Sequence, residues 1–310
     1  MSWFRSRGAP NGKQPFNRYN NAGSSSAPGD QPPGWTAATE QSHTLGLYNE
    51  ATDEEFESAK RFCSIYPLEQ PRLLSSDMVE RIQIEGCRVW NIEVPRSSRF
   101  VGRVSAGGEK GKASVSKVVT EAKCESVCLL SNLPIMAGLY EIQGKSGVYY
   151  EVLVKKMDGI IAIGTACRPY PDWRFPGWNR GSVGLHLDDM RKFFEDSDGG
   201  MDYSPVLSHI SRGDTIGCGY DFTSSAIFYT YNGMRLPAAF SGVYVPRTLQ
   251  DVYAAVGVEG KCEFEVNFGA ELFKWKEGNE WAWRVEGHVG RLSATSAGFS
   301  GGDELPAYHA

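Results

Sequence analysis

The sequence lacks a long apolar run. None of its hydrophobic segments approaches the roughly 20 residues that a membrane-spanning helix requires. The first residues, Met1 to Arg7, also lack the apolar stretch of a secretory signal. We therefore expect a cytoplasmic protein without a transmembrane segment.

An excess of positive charge is missing too. The chain has 32 Lys and Arg against 37 Asp and Glu, which gives a net charge of −5. Proteins that bind nucleic acids usually carry a basic stripe or patch. The few basic residues of the N-terminal segment are too sparse to form one, so we expect no nucleic-acid partner.

The recognised motifs of catalysis and metal binding are absent as well. The sequence has no P-loop, zincin helix or nucleophile elbow. Cys124 and Cys128 are close in sequence, but no second Cys or His pair completes a zinc site. The sequence places no further ligand or nucleophile beside His186, Asp188 and Asp189. We therefore interpret them as a structural hydrogen-bond network. We expect no catalytic residues, no metal and no cofactor.

What the chain does contain is typical of a turn-rich β protein. It has 35 glycines, and 12% of its 310 residues are aromatic. The segments 1–45 and 291–310 are instead rich in small and polar residues, and they have too little apolar surface to offset the entropy of ordering. We expect both to be disordered.

Two short helices are predicted near the N-terminus. Thr52 and Glu55 have the spacing of a capping box, and apolar residues follow at helical spacing until Pro67. A second helix is expected from Ser76 or Asp77, ending at Gly86. The region 46–146 has too few apolar residues for a core of its own, so we expect it to wrap around the rest.

From about Val89 the pattern is that of short strands. Residues 148–154 and 160–164 are expected to form a hairpin around Asp158-Gly159. Asn232-Gly233, between two aromatic segments, is typical of a type I′ hairpin turn. Many short strands with frequent turns predict an all-β, two-sheet antiparallel sandwich. The segment 274–290 holds three tryptophans, which we expect to pack on that sandwich.

Several motifs resemble those of SPRY domains. They include Gly147 to Val154, the run from Pro176-Gly-Trp to Asp189, and the Gly213 to Tyr220 segment. Ile227 to Gly233 is similar to the family's Phe-x-x-Asn-Gly hairpin, and Val266 to Gly269 to its closing strand. The resemblance implies a concanavalin-like jelly roll with its core at 147–273, and a domain that binds a protein target without catalysis.

Two subgroups of the family are similar to this chain, the Ran-binding-protein-M type and the fungal endosomal and vacuolar adaptors. The loop Arg168-Pro-Tyr-Pro171 and the lead-in Ser131-Asn-Leu-Pro134 favour the second subgroup. Those adaptors recruit a HECT ubiquitin ligase to membrane cargo. The resemblance therefore implies an adaptor of the same kind, with peripheral endosomal association as a further expectation.

The end of the chain holds a candidate ligand for such a ligase. Leu305-Pro306-Ala-Tyr308 is a variant of Pro-Pro-x-Tyr, which WW domains bind in a polyproline II shape. Pro306 would lie between aromatic rings, and Tyr308 would enter its own pocket. The alternative is a solvated tail in which the tyrosine is incidental, because the motif fixes only three residues.

The candidate partner-binding residues lie on loops of the sandwich. Loops held on a rigid scaffold commonly carry binding residues, and Trp and Arg are typical interface anchors. Trp178 is interpreted as a core residue and Phe175 as a candidate one. The predicted contacts are Tyr170, Asp172, Trp173 and Arg174, joined by Tyr231 at the hairpin tip.

Three functions remain open at this point. The first is the ubiquitin-ligase adaptor, with a target on the sandwich and a ligase on the tail. The second is a plain SPRY scaffold in a multiprotein complex, for which the tail has no role. The third is a carbohydrate-binding or hydrolytic sandwich, although no pair of carboxylates stands out as a glycosidase would require.

Overall fold

The computed structural model describes residues 52–106, 115–243 and 250–292. The expectations for residues 1–45 and for the motif at Leu305 to Tyr308 lie outside the described residues. The same holds for most of segment 291–310. Among the described helices, none is long and apolar enough to cross a bilayer.

Both predicted helices are present. Helix α1 spans Asp53–Ile65, and the Thr52 hydroxyl accepts a hydrogen bond from the Glu55 N–H at 3.4 Å. Helix α2 spans Ser76–Glu85 and ends at Gly86, whose φ of +61° suits glycine. A 3₁₀ turn, Gly86–Val89, then leads into the strands.

The remaining regular structure in the described residues is mainly antiparallel strands. Their bounds are β1 Gly102–Ala106, β2 Ser116–Thr120, β3 Val127–Leu130, β4 Gly147–Cys167, β5 Ser182–His186, β6 Arg191–Phe194, β7 Met201–Asp202, β8 Thr215–Asp221, β9 Ala226–Tyr231, β10 Met234–Ser241 and β11 Val252–Asn267. Every described pairing between them is antiparallel.

The two long strands, β4 and β11, belong to two sheets at once. Residues 147–153 of β4 pair with β8, whereas residues 162–166 pair with β5. Residues 263–266 of β11 pair with β2, and residues 255–258 pair with β3. Sheet A therefore has the order β10-β9-β8-β4-β11-β2-β1, and sheet B has the order β7-β6-β5-β4-β11-β3.

Side chains from the two sheets share one core. Tyr150 and Val152 of sheet A lie in the same buried cluster as Ile161 and Ile163 of sheet B. Trp90, from the N-terminal region, is also part of that cluster. The all-β antiparallel sandwich predicted from the sequence is confirmed.

The predicted hairpin around Asp158-Gly159 is wrong, because β4 runs through this dipeptide without turning. Both residues pair with β11, at Lys261 and Gly260. A Cβ on Gly159 would lie 2.1 Å from the carbonyl oxygen of Glu259, so glycine is needed here for close strand approach and not for a turn.

A bulge in β4 changes which side chains of the strand face the core, between its sheet A part and its sheet B part. Val154 is opposite Phe264 and Lys156 is opposite Glu263, which leaves Lys155 as an extra residue. Even-numbered side chains face the core before the bulge, as at Val154, and odd-numbered ones face it afterwards, as at Ile161. One inserted residue thus keeps apolar side chains inward in both sheets.

The outer face of sheet A is covered by segment 274–290. Trp275 and Trp283 are buried there against Tyr149 and Phe228. The buried Glu151 carboxylate accepts hydrogen bonds from two backbone N–H groups of this segment, those of residues 274 and 275, each at 3.0 Å. The outer face of sheet B is covered differently, by the loop 168–181 that joins β4 to β5.

Candidate partner-binding cleft

Loop 168–181 is held from within by buried polar side chains. Arg174 is fully buried, and its Nε donates to Asn179 Oδ1 at 3.0 Å. Its guanidinium carbon lies 4.6 Å from the ring centroid of Trp178. The hydroxyl of Tyr170 donates to the carbonyl oxygen of Phe175 at 2.5 Å. These bonds fix the shape of the loop.

Tyr170 and Arg174 are therefore not surface anchors. Tyr170 is 8% exposed and Arg174 is 0% exposed. Their burial differs from the expectation that both reach a partner directly, because each side chain turns inward to satisfy the loop's own backbone and rings. Trp178 and Phe175 are buried between them, in agreement with their interpretation as core residues.

Asp172 and Trp173 lie at the surface of the same loop, each half-buried. The carbonyl oxygen of Asp172 accepts a hydrogen bond from the N–H of Cys128, in strand β3, at 2.8 Å. The Trp173 ring packs edge-on against Phe62 of α1, with 5.7 Å between centroids. Helix α1 thus borders the loop beside its exposed aromatic residue.

Tyr231 does not lie near these residues along the sheets. It ends β9 in sheet A, and its hydroxyl donates to Asp214 Oδ2 at 3.1 Å. The hairpin tip that follows has φ of 49° at Asn232 and 85° at Gly233, as the predicted type I′ turn requires. Tyr231 remains a separate candidate contact on the other sheet.

A cleft of about 520 Å³ opens beside the loop, between it and segment 93–96. One wall is formed by an ion pair, in which Arg168 Nη2 lies 2.8 Å from Glu93 Oε2. The same Arg168 nitrogen donates to the carbonyl oxygen of Ser131 at 2.9 Å, and its guanidinium lies over the ring of Tyr253. The cleft is lined by Glu93, Val94, Pro95, Arg96, Cys128, Leu130, Arg168 and Asp172.

His186 is part of the packing under the loop. It is buried, and its Nε2 donates to the carbonyl oxygen of Pro176 at 3.1 Å. Burial lowers the pKa of His186 to about 4, so its ring is neutral at physiological pH. Asp188 and Asp189 are exposed, and Asp189 accepts a bond from the N–H of Arg191.

In the described part of the chain, no three His, Cys, Asp or Glu side chains are placed to hold a metal ion. The seven cysteines are all free, and six of them are buried.

The sequence did not single out the cleft. Its lining comes from three distant segments: the stretch around Pro95, strand β3 with Cys128 and Leu130, and the start of the loop at Arg168. Local patterns cannot show that such segments meet. The sole available signal was an apolar Val94 next to a proline, flanked by charged residues.

A comparison with protein-family models identifies the SPRY domain. The model of that family matches residues 147–271. This span runs from the first residue of β4 to just beyond β11, and it includes the loop 168–181.

Similar sequences support the match. A SPRY domain-containing protein of Schizosaccharomyces pombe is 33% identical over 172 residues, which cover 54% of this chain and 41% of that protein. Protein ssh4 of Sclerotinia sclerotiorum is 27% identical over 276 residues, 86% of this chain and 47% of that protein. The chain therefore spans less than half the length of these relatives.

Among solved structures, a human SPRY domain is similar at 23% identity and a TM-score of 0.40. It covers 55% of this chain and 99% of its own length. The match to the family model is the finding on which identification rests. Residues 147–271 of this chain therefore form a SPRY domain.

Proposed function

We propose that the chain is a non-enzymatic adaptor whose SPRY domain holds a protein partner at the cleft beside loop 168–181. The observation that carries the proposal is a concave surface lined by the Arg168–Glu93 ion pair and by Asp172, the chain neighbour of the half-buried Trp173. The hydrogen-bonded loop 168–181 presents Arg168, Asp172 and Trp173, so little conformational entropy is lost when a partner binds there.

The adaptor role extends to the C-terminal tail. Leu305-Pro306-Ala-Tyr308 recruits the WW domain of a HECT ubiquitin ligase, while the SPRY domain holds the cargo for ubiquitin-dependent sorting. A peptide of this kind binds with a Kd of about 10 μM, or near −7 kcal/mol, and tethering raises the effective concentration. Similarity to protein ssh4 over 86% of this chain supports an adaptor. The proposal locates the chain in the cytoplasm, peripherally associated with endosomes.

The SPRY half of the proposal is tested by proximity labelling in cells with the full chain and with Trp173→Ala. Partners held at the loop should be lost or reduced at least tenfold in the variant. Trp281→Ala is the matched control, because Trp281 is exposed on the segment that covers sheet A. Equal labelling by the full chain and by Trp173→Ala would contradict binding at this loop.

The tail half needs a separate experiment. Tails ending in the natural sequence and in Tyr308→Ala are compared for capture of purified WW domains. Capture should fall at least tenfold for the alanine variant, because the tyrosine pocket would stay empty. Equal capture would leave the plain scaffold, in which the SPRY domain binds its partner and the tail has no role.

A further inference from the structure

Strand β3 is the edge strand of sheet B, and its free side faces the cleft. Ser131, just after the strand, donates its N–H to Ala254 on the β11 side at 2.9 Å. Because hydrogen-bonding directions alternate along a strand, the backbone groups of Cys128 and Leu130 point the other way. The Cys128 N–H indeed bonds to Asp172, and the Leu130 carbonyl oxygen accepts from the N–H of Glu93 at 2.9 Å.

These two bonds use half of the outward-facing groups. The carbonyl oxygen of Cys128 and the N–H of Leu130 have no hydrogen-bond partner among the described residues. Both residues line the cleft. An edge with an open donor and acceptor is a template for pairing with another extended chain.

Pro95 explains why the carbonyl oxygen of Cys128 stays open. Residues 91–93 run antiparallel to 130–132, with bonds from the N–H of 93 to the oxygen of 130 and from the N–H of 132 to the oxygen of 91, both at 2.9 Å. Continuing this ladder would bring the N–H of residue 95 to the carbonyl oxygen of Cys128. Proline has no N–H, so the pairing stops before the Cys128 carbonyl is used.

We propose that the cleft binds an extended segment of the partner protein, which pairs with the Cys128 carbonyl oxygen and the Leu130 N–H as a short added strand. The inference rests on the proposed function and specifies how the partner is held. Running parallel to β3, a single extended residue makes both bonds, donating its N–H to residue 128 and accepting from residue 130.

The walls of the cleft suit a main-chain ligand more than a strongly charged one. Arg96 and Asp172 line the cleft with opposite charges, and the Arg168–Glu93 pair is already neutralised. Val94, 62% exposed, gives one apolar surface for a side chain of the bound segment. The bonding residue of the partner must carry a backbone N–H, so proline is excluded there.

The first test uses linear peptides selected from a random displayed library on the full chain. Their affinity is compared between the full chain and Pro95→Val. The valine supplies an N–H that can extend the ladder to the carbonyl oxygen of Cys128, so this acceptor is no longer open to a partner. Binding should weaken at least tenfold. Pro205→Val, on the exposed turn after β7, is the matched control and should bind as the unaltered chain does. Thermal unfolding of both variants shows that each is folded.

The second test examines the hydrogen bonds themselves. N-methylation of the bonding residue of a selected peptide should weaken binding at least tenfold, because it removes the donor and keeps the side chain. In the free chain, the Leu130 amide should exchange with deuterium faster than the Cys128 amide, and the bound peptide should slow it.

Each result decides between the two proposals. Peptides that bind equally to Pro95→Val and leave Leu130 exchange unchanged overturn the added strand, while the partner-binding function stands. A selection that yields no peptide dependent on the cleft overturns it as well. The free chain could also self-associate in a way that Pro95→Val abolishes. That result would assign the open edge of β3 to a second copy and would also overturn the inference. Equal labelling of partners by the full chain and by Trp173→Ala in cells, by contrast, is the failure of the proposed function.

Discussion

The outer faces of the two sheets are both covered by aromatic residues, but the two covers end differently. On sheet A, segment 274–290 buries Trp275 and Trp283, and the Glu151 carboxylate bonds to the backbone of that segment. On sheet B, loop 168–181 buries Phe175 and Trp178 and then stops at the edge of β3. The cleft lies open beside this edge.

With a partner at the cleft as proposed, one fold separates stability from binding. The cover of sheet A closes on itself, because aromatic packing and hydrogen bonds complete it from the chain's own residues. The cover of sheet B is equally well packed inside, through Arg174 and Tyr170, yet it borders an open donor and acceptor. Substitutions on sheet A should therefore change stability alone, and substitutions at the cleft should change binding.

Trp275→Ala should have the largest effect on stability. The side chain is 3% exposed and packs against Tyr149 and Phe228, so its loss should lower the free energy of unfolding by about 3–5 kcal/mol. Urea denaturation measures the change. Trp281→Ala is the control; at 57% exposure it should cost about 1 kcal/mol or less. Equal losses would mean that segment 274–290 does not contribute to the core.

His186 should make the cover of sheet B sensitive to acid. Its pKa is lowered to about 4 by burial, with Arg174 lowering it further and Asp189 opposing the shift. The unfolded chain, with a pKa near 6.5, binds more protons between these values, so stability falls as the pH drops from about 6.5 to 4. The loss should be on the order of 3 kcal/mol.

Denaturation of the unaltered chain and of His186→Gln at pH 7 and pH 4 measures this contribution. The glutamine amide can still donate to the carbonyl oxygen of Pro176, but it does not titrate. The variant should therefore lose less stability on acidification. An identical fall in both proteins would show that the imidazole is already protonated or solvated in the folded state.

Glu151→Gln should have an intermediate effect. The carboxylate accepts from the Tyr149 hydroxyl at 2.8 Å as well as from two backbone N–H groups. An amide nitrogen would face one of these donors, which should cost about 1–3 kcal/mol of unfolding free energy. Glu265→Gln is a suitable comparison, since its ion pair with Lys155 is near the surface and should contribute about 0–1 kcal/mol. Similar costs for both would contradict the anchoring role of Glu151.

Phe62→Ala should have the smallest effect, confined to the border of sheet B. The edge-on contact with Trp173 should contribute about 0.5–1.5 kcal/mol, so its loss should speed hydrogen exchange in α1 more than elsewhere. Phe62→Leu keeps an apolar side chain and should have less effect. Uniformly faster exchange over the whole chain would indicate that α1 is part of the core and not a border element.

Much of the fold could be predicted because local patterns dictate it. The Thr52 cap, the Gly86 stop and the Asn232-Gly233 turn each depend on residues close in sequence. Asp158-Gly159 misled the prediction for the same reason. The dipeptide is typical of a turn, but its pairing with β11, about 100 residues away, keeps it extended.

The site was less predictable. Residue type singled out loop 168–181 as the candidate binding loop, but it could not distinguish Trp173, which is half-buried at the surface, from Arg174, which is enclosed. A long charged side chain is usually exposed, and burial of this one depends on Trp178 and Asn179. The contact roles of Asp172, Trp173 and Tyr231 stay predictions.

The bulge at Lys155 has a consequence for how this chain can tolerate change in length. Replacing the lysine leaves the number of residues in β4 intact, so the spacing that serves both sheets survives. Deleting it would shift the alternation of side chains by one residue on one side of the bulge. Side chains that now face outward in that part of β4 would then face the core. Homologous chains should therefore vary freely in the identity of this residue while keeping it in place.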